Sequence, residues 1–302
     1  MGVITSGSFA KALWPGVNKW YGQAYNELGS EWDKLFDKNT SKKAFEEDVG
    51  YSSFGLAAVK AEGAPVTYDS ARQGFTTRYQ HVVYALGFII TRETYEDDQY
   101  DVIGKKKANA LARSMRISKE IVAANVYNRA TTSGYTGGDG VVMLSASHPK
   151  VAGGTYSNII GTTADLSEAS LEQATIDIEG FTDDRGLIIA AKPKQLIIPR
   201  QLRFEAYRIL KSDGRVGTDL NDPNAIKALG LFGEPTINHF LTDTDAWFIR
   251  TDVPDGMKYF ERRGDQFEMD NDFDTENAKY KASARYSFGW SDPRGIYGSM
   301  GA

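Results

Sequence analysis

KYKASARYSFGW, residues 279–290, alternates for its whole length. Tyr280, Ala282, Ala284, Tyr286 and Phe288 share one parity, with polar residues between most of them. A period of two marks a strand with one buried face, because successive side chains point to opposite sides of the pleat. A run of this length exceeds the usual strand of about 5–6 residues. It predicts a long ribbon in place of a compact barrel. MKYFERRGDQFEM, residues 257–269, supplies a second run, and the acidic DNDFDTE, 270–276, joins the two. SDPRG, 291–295, reads as a turn after the ribbon.

Outward from the ribbon, the clearest helix lies at 98–130, which holds no proline and a single glycine. Ala108, Leu111, Met115, Val122 and Val126 mark one face, with Ser118 in the gap. Asp97, Asp98 and Asp101 crowd its start, where the helix dipole favours negative charge. Such a rod spans on the order of 45 Å. Before it, residues 55–91 read as extended chain with breakers at Gly63, Pro65 and Gly74. The chain is expected to turn back near Gly74, giving a hairpin. Thr76, Arg78 and Gln80 would form its solvated tip, and Val82, Tyr84, Leu86, Phe88 and Ile90 its buried base. A two-stranded hairpin is marginal alone in water, so something must pack on it.

Residues 1–50 stand apart. Trp14, Trp20, Tyr21, Tyr25, Trp32 and Phe36 supply large rings, and apolar residues recur at helical spacing from Val17 to Phe36, with Pro15 fitting the entry. Two readings fit: a helix packed on its own domain, or an arm laid on a neighbouring subunit. Between 166 and 245 the pattern is mixed α/β. Ser167 caps an expected helix, KQLIIP (194–199) reads as a buried strand, RQLRFEAYRILKS as a second helix, and TINHFL and AWFIR as short strands.

Composition narrows the chemistry. The 302 residues contain no cysteine and three dispersed histidines, so neither a thiolate nucleophile nor a histidine-rich zinc site is expected. The net charge of −5 lacks the basic excess of a protein that grips DNA. No run of about 18 apolar residues predicts a membrane span. Ser145, Ser147 and His148 have the letters of a nucleophile and base, but no G-x-S-x-G elbow is present. Pro149 also biases His148 to extended geometry, so a turn or strand boundary is expected. Neither common phosphate-binding glycine motif occurs. DNDFDTE fails the calcium-loop pattern, because its sixth and twelfth places hold Thr275 and Lys281. No catalytic residue, cofactor or metal is expected. Long elements that cannot bury themselves point instead to assembly.

RYQHVVYALGFIITRETYEDDQYD, 78–101, running into the long helix, resembles the end of the E-loop and the start of the spine helix in the major capsid proteins of tailed bacteriophages. NRATTSGYTGGDG, 128–140, is similar to the glycine-rich loop that follows that helix. LSASHPKVAGGTYSN, 144–158, resembles a stretch of Mu-like major head subunits. The ribbon with its proline turn, 279–299, resembles the family's long peripheral strand and its return to the axial domain. Each motif is loose, but their order is specific and covers nearly the whole chain.

The resemblance implies an α+β capsid fold. Its N-terminal arm would be 1–54 and its E-loop 55–91. A peripheral domain would hold 92–165 and 246–292, and a mixed α/β axial domain 166–245 and 293–302. It implies a structural subunit of an icosahedral shell around double-stranded DNA, bound without sequence specificity, and no enzyme. Partners would be the chain itself, as pentamers and hexamers, a portal, a separate scaffold and decoration proteins. The location would be the virion, after assembly in the host cytoplasm. Candidate subunit contacts are Trp14, Trp20 and Trp32 in the arm and Lys60, Glu62, Arg72 and Arg78 in the E-loop. An encapsulin-type compartment shell is the alternative. A tail tube protein, or a hydrolase using Ser147 and His148, ranks lower.

Overall fold

The alternating stretch forms the strand Ala278–Trp290 inside a four-stranded sheet. The computed structural model describes residues 18–27, 29–91, 93–94, 100–214, 223–271 and 277–302. Trp14, Pro15, Asp97 and Asp98, most of the polar loop 212–225 and most of the acidic turn 270–276 lie outside them. The strands are β1 (Asp37–Thr40), β2 (Phe45–Tyr51), β3 (Gln73–Gln80), β4 (Val82–Ile90), β5 (His148–Pro149) and β6 (Thr155–Tyr156). They continue as β7 (Pro193–Pro199), β8 (Thr236–Asn238), β9 (Trp247–Thr251), β10 (Met257–Asn271), β11 (Ala278–Trp290) and β12 (Ile296–Ser299).

The first sheet runs β1-β10-β11-β4, with β1 parallel to β10 and the other pairs antiparallel. On the face of β11 predicted to be buried, Tyr280, Ala282, Ala284 and Tyr286 are all covered. Tyr280 lies opposite Phe88 with rings stacked at 4.9 Å, and Tyr84 stacks on Tyr286 at 4.7 Å. Such cross-strand aromatic pairs contribute about 0.2–1 kcal/mol each over alanine pairs. The long helix, Tyr100–Asn128, packs on this sheet. Ala108, Leu111, Ala112, Met115, Ala123 and Tyr127 join Ala282 and Ala284 in one core. Alanine on both surfaces lets helix and sheet approach closely.

The second sheet runs β12-β9-β7-β8, with β7 parallel to β8. The helices Glu168–Glu179 and Arg203–Lys211 pack on it through Leu171, Ala174, Ile178, Ala206 and Ile209. Every residue of β9 is buried. Phe248 enters the first core, whereas Trp247 and Ile249 enter the second. Ile197 against Leu196 and Ile198 divides β7 the same way. The period of two thus places one strand's side chains in two cores.

Three expectations change. No turn forms at Gly74: it lies in β3, whose antiparallel partner is β2. The hairpin is therefore built from 45–51 and 73–80, with 52–72 as its connection. The charges of FEEDVGY mask its strand signal, and by sequence alone the segment groups with the arm. The helical spacing from Val17 to Phe36 resolves into helix at 18–27 and a 3-10 turn at Trp32–Lys34. Gly29, a poor helix former, lies between them. On β4, Ile90 is buried, but Val82 and Leu86 remain exposed.

Candidate functional site

The adjacent Ser147 and His148 do not make a catalytic pair. His148 is fully buried in β5 and stacks on Tyr156 at 5.3 Å. Its Nδ1 lies 2.6 Å from Asp139 Oδ2 and its Nε2 3.1 Å from Asn158 Oδ1. Asn158 is itself oriented by backbone: its Oδ1 accepts from Ser145 N–H, and its Nδ2 donates to the carbonyls of Met143 and Pro293. Both ring nitrogens are occupied, so none is left to accept a proton from the exposed Ser147. Ser145 Oγ accepts from Ser147 N–H at 3.2 Å. This cluster ties the glycine-rich loop, β5 and the turn after β11 together. Gly138 in that loop lies so close to β3 that a Cβ would sit 2.5 Å from Thr77 Oγ1.

The features that distinguish the surface lie between β2 and β3. From Phe54 to Arg72 almost every residue is exposed. Val59 is 101%, Tyr68 92% and Leu56 83% exposed, and Tyr51, Phe54 and Val66 are also open to solvent. Exposed apolar side chains gathered on one segment in this way mark a contact surface or an aggregation hazard.

The root of this loop is ordered by polar contacts. Ser52 N–H donates to Arg72 O at 2.9 Å and Arg72 N–H donates to Ser52 Oγ at 2.8 Å. Asp69 accepts from Gly55 N–H and Ser70 N–H and pairs with Arg185 at 3.2 Å. Those backbone bonds, chiefly from Gly55, hold its carboxyl below the ordinary range. Ser53 Oγ donates to Asp183 in the same turn as Arg185. The hairpin is fixed to the first sheet by Lys258 of β10, which bridges Asp48 and Asp255. Burial would raise the Asp48 carboxyl, but hydrogen bonds from Lys258 and Ser291 outweigh it and hold it down.

The candidate residues separate on this map. Lys60, Glu62 and Arg72 are exposed on the loop. Arg78, on β3, lies over the Phe45 ring at 3.7 Å and reaches Glu47 at 3.9 Å, so part of its capacity is used within the chain. Trp20 is half-buried against the first core. Trp32 is 5% exposed and packs on Tyr259 at 4.4 Å. It belongs to the chain's own core and leaves little surface for a neighbour. Trp14 lies outside the described residues.

Sequence reading missed a charged cluster in this core. Lys119 on the long helix is buried among Trp32, Tyr259 and Tyr286, with Nζ 4.5, 4.8 and 5.3 Å from the ring centres. Burial depresses its pKa. Glu120 beside it accepts from the backbone N–H groups of Glu31 and Trp32, and burial raises its pKa. A Lys-Glu pair on a helix ordinarily reads as solvent-facing, and only the tertiary fold buries it. Among the described residues, no group of three or more His, Cys, Asp or Glu could hold a metal ion. No helix among them is long and apolar enough to cross a membrane.

A family model described as phage capsid protein matches residues 74–299, well over half of the chain. No curated protein matches the sequence. Solved structures of similar fold include the capsid of a native GTA particle, with TM-score 0.55, 15% identity and 91% of each chain covered. The procapsid of bacteriophage JBD30 gives TM-score 0.52 and 14% identity, over 98% of this chain and 76% of that one. A virus-like particle from Pyrococcus furiosus gives 0.53 and 11%, over 94% and 98%. At such identities the likeness is one of fold.

Proposed function

This chain belongs to the phage capsid protein family, a shell subunit and not an enzyme, and from that premise we propose that it closes into an icosahedral shell of pentamers and hexamers around double-stranded DNA. The observation that carries this reading is the exposed apolar loop 52–72, held at its root and without a cover among the described residues. In the proposed shell, the residues before β2 are an arm and the β2–β3 hairpin with its loop 52–72 is an E-loop lying on a neighbour, with Lys60, Glu62, Arg72 and Arg78 exchanging charges there. The peripheral domain takes 92–165 and 246–292, and the axial domain 166–245 and 293–302. Exposed ion pairs contribute only about 0.2–1 kcal/mol each, so repetition over many subunits must supply the strength. The net charge of −5 suits a container whose polyanionic cargo packs and later leaves. A separate scaffold, a portal and decoration proteins are the proposed partners, and the host cytoplasm is the proposed place of assembly.

Negative-stain microscopy of the purified chain, with and without a co-expressed scaffold, tests the reading. Closed shells are expected. Stacked rings or tubes, or a monomer at every concentration, would overturn it. A second reading, a compartment shell around protein cargo, is favoured by the fold shared with the Pyrococcus furiosus particle. The contents of purified particles decide: nucleic acid supports the first reading and a packaged enzyme the second.

A further inference from the structure

His81 stands where the chain changes sheets. β3 ends at Gln80 and pairs with β2, whereas β4 begins at Val82 and pairs with β11. One residue therefore joins the exposed hairpin to the body. Its side chain is buried and reaches both sides of the joint. Nε2 lies 3.1 Å from Ser41 Oγ, in the connection between β1 and β2, and Nδ1 lies 3.0 Å from Ser287 Oγ on β11. Ser41 in turn ties its segment to the first sheet, donating its N–H to Glu261 O of β10 at 2.8 Å.

The hydrogen bonds around the ring fix its tautomer. Ser41 has one hydroxyl hydrogen, which it donates to Glu46 Oε1 at 2.7 Å. Its oxygen must then accept from His81 Nε2–H, as it accepts from Lys43 N–H. The neutral ring thus leaves Nδ1 bare to accept from the Ser287 hydroxyl. A second proton, on Nδ1, reverses that bond and leaves the Ser287 hydrogen to find a new partner. Charge adds to the penalty. Arg285 on β11 donates its Nε–H to His81 O at 3.3 Å. Arg262 on β10 opposes the imidazolium too, with its Nε buried and without a hydrogen-bond partner among the described residues. Glu46 on β2, paired with Lys43 at 3.2 Å, favours the imidazolium. Burial first, and then the two guanidiniums, outweigh it and hold the ring below its ordinary 6.5.

We propose that His81 is the pin of a pH-sensitive hinge, closed while its ring is neutral and released by acid, which frees the β2–β3 hairpin to turn against the first sheet. The open hinge returns the ring to water and to its ordinary affinity for protons, so the closed form binds fewer. Closure is at full strength above 6.5 and weakens as pH falls below that value toward the lower folded one. The carboxylates at the hairpin titrate elsewhere. Glu46 and Asp48 are held below their ordinary 4.5 and 3.8, so both stay charged down to about pH 5.5. The inference goes beyond the shell reading and does not depend on it, because an unassembled chain carries the same hinge.

Hydrogen exchange of the intact, unassembled chain at about pH 7.5 and about pH 5.5, corrected for the intrinsic pH dependence of amide exchange, tests the hinge. Protection of segments 41–51 and 73–84 should fall by up to about tenfold at the lower pH, the limit for a group that titrates at its ordinary 6.5 when open. His81→Gln, which keeps a donor and an acceptor but cannot titrate, should abolish that fall. Arg262→Gln leaves the ring in place and removes one opposing charge, so the fall should shrink. No fall in the wild type, or equal falls in the wild type and His81→Gln, overturns the hinge. If His81→Gln does not fold, Arg262→Gln decides, and an undiminished fall overturns the hinge. A fall of the same size at 193–199 and 247–251 in the second sheet marks general loosening and overturns it as well. None of these results bears on whether shells close.

Discussion

His148 shows how a residue with catalytic letters becomes structural. Its ring lies between a carboxylate and an amide oxygen, and the Asp139 side chain is nearly as buried as the ring. Truncating it leaves the buried Asp139 carboxylate oxygen without its ring partner, while Asn158 Oδ1 keeps the Ser145 N–H. His148→Ala is therefore expected to lower stability by about 3–5 kcal/mol, as for other broken buried pairs. Ser147→Ala, at an exposed hydroxyl, should stay within about 0.5 kcal/mol. Urea unfolding of both variants checks this contrast; equal, small effects would show that the cluster does not hold the loop. The sequence made the absence of a hydrolase elbow legible and gave extended geometry before Pro149. It could not show Asp139 and Asn158 converging on the ring, because their meeting depends on how the glycine-rich loop folds back over β5.

Among the elements, the long helix and the ribbon were legible because their periods persist for many residues. The Ser167 cap was also readable: its Oγ accepts from Ser170 N–H, and Ser170 Oγ accepts from Ser167 N–H in return. Short elements with mixed charges were not readable. β1 is exposed along all four residues and exists only because β10 offers it a parallel edge. β2 carries three carboxylates in seven residues and is placed by β3 and Lys258. The loop's role was only partly visible. Its charges stand out in the sequence, but its aliphatic side chains read as ordinary strand residues, and only the fold exposes them. The small residues between helix and sheet set a prediction of their own. Ala282→Leu, under the helix at a site with no exposure, should cost about 1–3 kcal/mol by overpacking. Thermal unfolding checks it, and an unchanged midpoint would mean that helix and sheet can separate without loss.

At the scale of the whole molecule, two polar junctions fix the exposed hairpin to the body: Asp48–Lys258–Asp255 and Asp69–Arg185. The first has a pH signature. Asp48 has a folded pKa below its ordinary 3.8, so its contribution is complete above that value and is lost as pH falls through the lower folded one. Lys258 has a folded pKa above its ordinary 10.5, despite burial, because Asp255 and Asp48 hold the ammonium. Its contribution is present below 10.5 and lost as pH rises through the higher value. The difference in Tm between wild type and Asp48→Asn should therefore be largest near neutrality and shrink as pH falls below 3.8. Calorimetry across that range checks it, and a difference independent of pH would show that the junction does not stabilise the hairpin. The first sheet has a further consequence in time. Its neighbours come from opposite parts of the chain: Asp37 lies beside Lys258, and Val82 beside Tyr286. Closing such wide loops makes folding slow, because the entropy of bringing distant segments together is lost before their contacts form. A nascent polypeptide still on the ribosome cannot complete that sheet until β11 has emerged from the exit tunnel. Unfinished chains thus lack the scaffold that supports their cohesive surfaces, and translation itself delays when a newly made copy can join its fellows.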